Sequence, residues 1–147
     1  LVISTSNKSE TAVGYTTLYG DMVGGFALLK DVPKTWVYKL AHYRNSISKI
    51  IPNEIIKRPP TAELRHDQLD QNSLPKYEIL DKIIELYIEK DLDIASIVKE
   101  GFSSKNVNRV VKLINNNEFK RAQSPIGPKI THRAFGKDRR YPITFKH

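Results

Sequence analysis

One short segment at the start of the chain constrains the fold more than any other feature. Leu1 to Thr5 is apolar and β-branched and ends at small polar residues, a pattern typical of a buried strand that runs into a loop. The periodic segments after it are helical, so this strand must pair with another part of the fold. Because a parallel strand followed by a helix is half of an α/β unit, the sequence predicts an α/β fold that is predominantly helical over residues 1–147.

The first helix has a clear start signal. Ser6 or Asn7 can cap it, and Glu10 then falls in the first turn, next to the positive end of the helix dipole. We expect this helix to run to about Leu18. The glycines that follow, around Gly24, predict a loop.

The second helix is predicted to begin with Asp31 as its cap and Pro33 in its first turn. Three aromatic residues follow at or near helical spacing and are expected to lie in a core or an interface: Trp36, Tyr38 and Tyr43. Further helices are predicted from the apolar periodicity of segments 77–89, 94–100 and 104–114.

Two segments lack helical periodicity. Residues 61–75 are polar and are predicted to form an exposed loop, and long ordered loops in compact domains are often functional. Residues 118–147 are expected to be a basic, irregular tail, because residues 123–147 contain three prolines and no periodic pattern.

Positive charge is concentrated in the last third of the chain. The formal net charge is +8, and residues 103–147 carry 11 basic against 2 acidic side chains. Such a segment attracts anions, which include nucleic acid, phosphorylated ligands and acidic protein surfaces, although a solvated tail explains the charge equally well. In particular, Arg139 and Arg140 are either solvated or docked on a neighbouring subunit or domain, and docking is favoured because an ordered tail needs a partner.

A second class of function follows from the same charge. Residues 94–100, Gly101 and residues 103–114 have the outline of a helix-turn-helix, with Lys105, Arg109 and Lys112 on the second helix. With the basic tail, this segment could bind nucleic acid. Helix–Gly–helix patterns are common in bundles that bind no nucleic acid, so we rank this interpretation second.

Composition excludes some classes of site. The chain has no cysteine, which excludes disulfides, thiolate catalysis and cysteine zinc sites in these residues. No apolar run approaches the ~20 residues that a membrane helix needs, so we expect no membrane and a cytoplasmic location.

The segment that joins the first strand to the first helix is the best candidate for a ligand site. In open α/β sheets, ligands bind beyond the carboxyl ends of the strands, where helix N-termini point. Thr5 could donate a hydrogen bond to a nucleotide, Glu10 could hold a metal ion or a ligand hydroxyl, and Lys34 could reach a phosphate. All three residue types are also ordinary at strand ends, helix starts and solvated surfaces.

At these positions the sequence resembles the NAD synthetase family. The resemblance covers nearly the whole chain in collinear order, and it is carried by S-T-S-N-K-S-E-T-A-V-G-Y at 4–15, Y-G-D-M at 19–22, G-G-F-A-L-L-K-D-V-P-K-T at 24–35, R-P-P-T-A-E-L-R at 58–65, D-Q-L-D at 67–70 and N-E-F-K-R at 117–121. The ending I-T-H-R-A-F-G-K-D-R-R-Y-P-I-T at 130–144 is similar to that of bacterial glutamine-dependent members.

The resemblance implies a reaction and a fold. In this family ATP adenylylates the nicotinate carboxylate of deamido-NAD, and ammonia attacks the mixed anhydride to give NAD, AMP and pyrophosphate. The implied cofactors are ATP and Mg²⁺. The implied fold is a partial domain of the adenine-nucleotide α-hydrolase type, which is Rossmann-like, with mainly its helical C-terminal half in residues 1–147.

The resemblance also implies roles for individual residues. Three match ATP-contacting positions: Thr5, Lys34 and Thr61. Six match or lie at positions that line the deamido-NAD site: Glu10, Tyr15, Thr16, Thr17, Leu18 and Lys120. Glu10 is in addition the expected contact of Mg²⁺.

The sequence departs from the family pattern at three positions. Ser4 stands where glycine is usual, Leu18 where short ammonia-dependent members carry a substrate-binding lysine, and Gly25 where those members carry an aspartate. The last two fit the longer, glutamine-dependent branch, and they leave the substrate contacts of this chain less defined.

Two parts of a complete enzyme are expected to lie elsewhere. The phosphate-binding signature S-G-G-x-D-S of the family has no match in residues 1–147, and a glutaminase site would need a nucleophilic cysteine. We therefore expect these residues to be inactive alone and to partner with the remainder of a synthetase and a glutaminase domain. Homo-oligomer formation, an unpaired first strand and an exposed apolar patch are further expectations.

Overall fold

The computed structural model describes residues 1–61, 70 and 73–144. Two strands and seven α-helices occur in these residues: β1 (Ile3–Ser4), α1 (Lys8–Val13), β2 (Phe26–Ala27), α2 (Lys34–Ile47), α3 (Asn53–Lys57), α4 (Tyr77–Ile84), α5 (Ile94–Lys99), α6 (Ser104–Asn116) and α7 (Glu118–Ala122). A π-helical turn at Glu85–Glu89 extends α4. None of the helices in these ranges is both long and apolar enough to cross a membrane.

The small sheet is parallel, as the predicted α/β class requires. β1 pairs with β2, with Ile3 opposite Phe26 and Ser4 opposite Ala27. The first strand therefore has one partner, and the expectation of a wholly unpaired strand was wrong. Its predicted burial was also wrong, since Leu1, Val2 and Ile3 are 96%, 65% and 50% exposed. The expected exposed apolar patch is thus present along this strand.

The core lies between α1, α4, α5 and α6. Its members are buried aliphatic residues on the inner faces of these helices, with Tyr77 and Phe135 beside them: Ala12, Val13, Leu80, Ile83, Ile84, Ile97, Val107, Val110, Val111 and Ile114. The periodicity of segments 77–89, 94–100 and 104–114 correctly predicted these helices, because an apolar face at helical spacing must be buried against another element.

Two predictions about helix bounds need correction. The first helix ends at Val13 and not near Leu18, because Gly14 takes the left-handed conformation with φ +74° and terminates it. A side chain at Gly14 would also collide with Asn117, whose side chain would lie about 2.0 Å from an added Cβ. Pro33, and not Asp31, precedes α2 as its cap residue.

The second helix does not contribute to the core. None of its residues is buried, and Trp36 and Tyr43 are 47% and 66% exposed. The predicted core role of these aromatics was therefore wrong, and an interface role stays a prediction. The short helix α3 lies before Pro59 and Pro60.

The predicted irregular tail is partly helical and packs on the rest of the chain. Residues 118–122 form α7, and Phe135 and Arg139 are buried. The backbone N–H of Ala27 donates to the Ile126 carbonyl at 2.8 Å, which attaches the tail to β2. Gly127 permits this approach, because an added Cβ would lie 2.2 Å from the Ala27 carbonyl oxygen.

Candidate functional site

The start of α1 lies directly beyond β1. Asn7 is the cap residue, and its side chain accepts a hydrogen bond from the Glu10 backbone N–H at 3.0 Å. In return, the Asn7 backbone N–H donates to Glu10 Oε2 at 3.3 Å, which completes a capping box. The sequence signal for this cap was correct. It fixes the Glu10 carboxylate at the N-terminal end of the helix, on the side where the strand ends.

Glu10 and Lys34 form an ion pair. Lys34 Nζ lies 2.8 Å from Glu10 Oε1, and both side chains are about one-fifth exposed, at 19% and 18%. Lys34 begins α2, so the pair joins the first turns of two helices that follow the two strands. The structure thus brings together two residues that the sequence linked to ligand binding, although they are 24 positions apart. Their partial exposure leaves both groups accessible to a ligand.

Two aromatic rings flank the Lys34 ammonium group. Nζ lies 5.8 Å from the centre of the Tyr77 ring and 5.9 Å from that of Tyr38, distances at which a cation is attracted to the ring face. The Tyr77 hydroxyl donates to Asp70 Oδ2 at 2.6 Å. Burial, together with this hydrogen bond, raises the pKa of Tyr77, so the hydroxyl stays protonated and neutral beside Lys34.

The segment that carries Thr61 reaches the same place. The Asp70 backbone N–H donates to the Pro60 carbonyl at 3.1 Å, and Thr61 follows Pro60 directly. Tyr15 is tied to this region as well, through a hydrogen bond between its hydroxyl and Ser73, whose hydroxyl donates to the Asp70 carbonyl at 3.4 Å. The rest of the predicted functional loop, residues 62–69 and 71–72, lies outside the described residues.

Asp81 connects the first turns of the two helices that carry Glu10 and Lys34. One carboxylate oxygen of Asp81 accepts from the Ser9 hydroxyl, and the other accepts from the Thr35 backbone N–H at 2.9 Å. Ser9 Oγ in turn accepts from the Lys34 backbone N–H at 2.8 Å. A single residue of α4 therefore holds the first turns of α1 and α2 together. Sequence reasoning missed Asp81, because the helical pattern of α4 indicates only that it faces away from the core.

The other predicted residues near β1 have different contacts. Thr5 is exposed, and its backbone N–H lies 3.4 Å from the Asp21 carbonyl. The Asp21 carboxylate accepts from the Thr17 backbone N–H and from the Ser6 hydroxyl, both at 2.6 Å. These bonds fix the loop after α1 against the end of β1. They do not connect Thr5 with Glu10 or Lys34.

Lys120 lies on the far side of that loop. Its ammonium group donates to the carbonyls of Gly14 and Thr16, at 2.7 and 2.9 Å. Leu18 and Tyr15 are partly exposed, whereas Thr16 is buried and its hydroxyl has no hydrogen-bond partner in the part of the chain that the structure describes. In this structure Lys120 holds the segment 14–18 in place, in addition to any contact it makes with a ligand.

A second lysine of α1 has a different environment. Lys8 is only 1% exposed, and its Nζ lies 2.7 Å from Glu89, 3.1 Å from Asp31 and 3.0 Å from the Arg133 carbonyl. Asp31 also accepts from the backbone N–H groups of Ile130 and Thr131, at 2.8 and 2.7 Å. Lys8 therefore attaches the tail to the body of the protein. No sequence signal distinguished it from a surface lysine.

The arginines of the tail dock within the chain. The Arg139 guanidinium lies over the rings of Tyr87 and Tyr141, each at 4.5 Å, so this residue packs on its own chain. Arg140 is exposed. Arg121 pairs with Glu118 at 2.8 Å and lies 4.8 Å from the Phe135 ring. Docking of Arg139 and Arg140 on a neighbouring subunit or domain stays a prediction.

The helix-turn-helix alternative gains no support from these contacts. α5 and α6 form as predicted, and Gly101 between them has φ +97°. Lys105, Arg109 and Lys112 are exposed, yet Arg109 donates through Nε to the Ser73 carbonyl. The buried face of α6 packs into the core, which accounts for the pattern without a nucleic-acid ligand.

Comparisons with known proteins give one consistent result. The sequence model of the NAD synthase family matches residues 1–124. The chain is 63% identical over 146 residues to a glutamine-dependent NAD(+) synthetase of Aquifex aeolicus and 59% identical over 145 residues to one of Acinetobacter baylyi. These matches cover 99% and 97% of this chain, but only 26% and 27% of the relatives. The chain thus spans about a quarter of their length.

The fold has a counterpart among solved structures. A glutamine-dependent NAD(+) synthetase from Cytophaga hutchinsonii superimposes with a TM-score of 0.67 over 96% of this chain and 24% of that chain, at 24% sequence identity. At this identity the match bears on the fold alone. It agrees with the predicted α/β class.

Proposed function

The chain belongs to the NAD synthase family, and from this premise we propose that it supplies part of the site for ATP-dependent amidation of deamido-NAD. The observation that supports the proposal best is the Glu10–Lys34 ion pair, 2.8 Å long, at the first turns of α1 and α2. Helix starts that follow parallel strands are where phosphates and other anions bind in open α/β sheets. The pair therefore lies where a nucleotide would be expected.

The two members of the pair suit opposite charges. Lys34 is a point charge that can turn from Glu10 to a phosphate oxygen of ATP, while the rings of Tyr38 and Tyr77 hold its position. Glu10 would then be free to contact Mg²⁺, which commonly uses one or two carboxylates together with substrate phosphates. Among the described residues no cluster of three or more His, Cys, Asp or Glu side chains that could hold a metal ion occurs. We propose that Glu10 shares the metal with the phosphates of the nucleotide. Bound there, Mg²⁺ would offset phosphate charge.

The substrate would lie along the loop after α1. We propose that Tyr15, Thr16, Thr17 and Leu18 line the deamido-NAD site, with Thr5 and Thr61 towards ATP. Lys120 supports this assignment, because it holds the carbonyls of Gly14 and Thr16 and so sets the shape of the loop. We propose that Lys120 also contacts deamido-NAD from this position.

The chemistry follows from the charges. A carboxylate is a poor acyl donor, and transfer of the adenylyl group of ATP to the nicotinate carboxylate, with release of pyrophosphate, gives it a good leaving group. Ammonia then forms the amide and AMP leaves. Cationic groups such as Lys34 stabilise the negative charge that develops on the phosphates. We propose that the remaining phosphate contacts, and the glutaminase that would supply ammonia, come from segments like those that make up the other three-quarters of the relatives. A second copy of the chain is a further proposed partner.

A grafted synthetase tests the proposal. In it this chain replaces the aligned segment of the Aquifex aeolicus relative, with which it is 63% identical. With ATP, Mg²⁺, deamido-NAD and ammonium, we expect NAD and AMP to form in equal amounts. A graft that folds as judged by circular dichroism but forms neither product would contradict the proposal.

A further inference from the structure

A groove on another part of the molecule contains none of the candidate site residues. It has a volume of about 610 Å³ and lies between the turn at Lys30 and Asp31, helix α7 and two loops of the tail, 124–129 and 134–140. Sites for small molecules commonly have volumes of about 300 to 1,000 Å³. The groove is therefore large enough for a small ligand.

The charges that line the groove do not balance. Its walls carry three carboxylates, and each is already engaged: Asp31 by Lys8 at 3.1 Å, Glu118 by Arg121 at 2.8 Å and Asp138 by Lys129 at 2.8 Å. Three further cationic side chains line the same groove, and none of them has a carboxylate partner among the described residues: Lys30, Lys137 and Arg140. An excess of positive charge concentrated in a concave surface attracts anions.

One of these three cationic side chains, Lys30, is partly buried. The side chain is partly buried, its Nζ donates to the Pro125 carbonyl at 2.6 Å, and burial lowers its pKa. An ammonium group has three donors, so this carbonyl leaves hydrogen-bonding capacity unused. Arg121, which is 5% exposed, also lines the groove, and its Nε has no hydrogen-bond partner among the described residues. The Nε atom is itself buried, so Arg121 contributes no direct hydrogen bond to a ligand in the groove.

We propose that this groove binds an anion that carries a phosphate group. A phosphate offers several acceptor oxygens and up to two negative charges, which suit two ammonium groups and one guanidinium fork better than a single carboxylate does. Lys137 and Arg140 are exposed at the rim and can approach the anion, while Lys30 contacts it from inside. This proposal does not depend on the proposed amidation, because the two sites share no residue.

Isothermal titration of the 147-residue chain with pyrophosphate, orthophosphate, AMP and adenosine tests it. We expect the three phosphate-bearing probes to bind, pyrophosphate most tightly because of its charge, and adenosine not to bind. In the double variant Lys137→Gln/Arg140→Gln, pyrophosphate affinity should fall at least about tenfold, since two charge-assisted contacts are lost. Both positions are exposed, so the fold should be retained.

A matched variant separates a built site from general charge attraction. Lys105→Gln/Lys112→Gln removes the same charge from exposed positions of α6, and we expect it to leave pyrophosphate affinity unchanged at equal ionic strength. Equal weakening in both double variants would overturn the proposal. So would pyrophosphate binding no tighter than chloride, or full affinity in Lys137→Gln/Arg140→Gln.

Discussion

Two lysines near the first strand, Lys8 and Lys34, face carboxylates at similar distances but in different environments. Lys8 is 1% exposed, and its partners Asp31 and Glu89 lie 3.1 and 2.7 Å away. Lys34 is 19% exposed and has one carboxylate partner, Glu10, at 2.8 Å. The distances alone would not distinguish the two lysines.

The difference lies in how many partners each lysine has and in its access to water. The Lys8 ammonium group is almost fully buried and is surrounded by acceptors of this chain, which is typical of a lysine that stabilises the fold. The Lys34 side chain is partly exposed, and its ammonium group lies between two tyrosine rings that favour a cation there. An ion pair that stays accessible at a helix start can exchange its partner for a ligand. We therefore assign stability to the Lys8 network and ligand binding to the Glu10–Lys34 pair.

The largest effect is expected from Lys8→Met. The substitution leaves Asp31 and Glu89 without their common cation, and removal of one member of a buried ion pair typically costs about 3–5 kcal/mol. Urea unfolding should show this loss in the free energy of unfolding. Lys39→Met, at an exposed position of α2, is the control and should change stability by less than about 0.5 kcal/mol. A loss below about 1 kcal/mol for Lys8→Met would remove the distinction between the two lysines.

A smaller loss in the free energy of unfolding is expected from Asp81→Asn. Asp81 connects α1 with α2, because it accepts hydrogen bonds from Ser9 and Thr35. The amide can replace only one of the two accepting oxygens, so we expect a loss of about 1.5–3 kcal/mol. Glu78→Gln, at an exposed position of the same helix, is the matched control. Equal stability of the two variants would show that Asp81 does not hold the helix starts together.

Lys34→Gln should have little effect on stability. The pair is partly exposed, and such pairs contribute about 0–1 kcal/mol after screening by solvent. Unfolding in urea should therefore give a midpoint close to that of the unchanged chain. A loss as large as that of Lys8→Met would mean that Lys34 is structural, which would contradict the comparison.

The smallest effect on stability is a pH dependence that comes from Glu85, which belongs neither to the Lys8 network nor to the Glu10–Lys34 pair. The hydrogen bond from Lys82 lowers the pKa of Glu85, so Glu85 stabilises the fold above its usual pKa, and this contribution is lost as pH falls through the lower folded-state value. The melting temperature of Glu85→Gln should match that of the unchanged chain in strong acid and fall slightly below it near neutral pH. The reverse order would show that the pair is not stabilising.

The sequence predicted the parts of the fold that depend on local signals. The capping box at Asn7 and the apolar faces of α4 and α6 each depend on residues that are close together in the sequence. All three are present where they were expected. The end of α1 was missed because Gly14 in a helical pattern can be tolerated or can terminate the helix, and the choice here depends on Asn117, far along the chain.

The candidate site shows the same limit. Glu10 and Lys34 could be named from the family pattern, and the structure adds that they form a pair. The contributions of Lys8 and Asp81 were not predictable, because the carboxylate partners of Lys8 and the Ser9 partner of Asp81 lie 23 to 81 positions away along the chain. Long-range polar contacts of this kind leave no periodic pattern in a sequence.

The most direct test of the central claim is the rate of NAD formation by the grafted synthetase with Lys34→Gln, compared with Lys39→Gln in the same graft. If the Glu10–Lys34 pair is the nucleotide site, Lys34→Gln should lower the rate by about 100-fold or more, as loss of a group that stabilises developing charge does. The Lys39→Gln graft should stay fully active, and both should unfold at similar urea concentrations. Equal rates in the two grafts would contradict the assignment of Lys34 to the reaction.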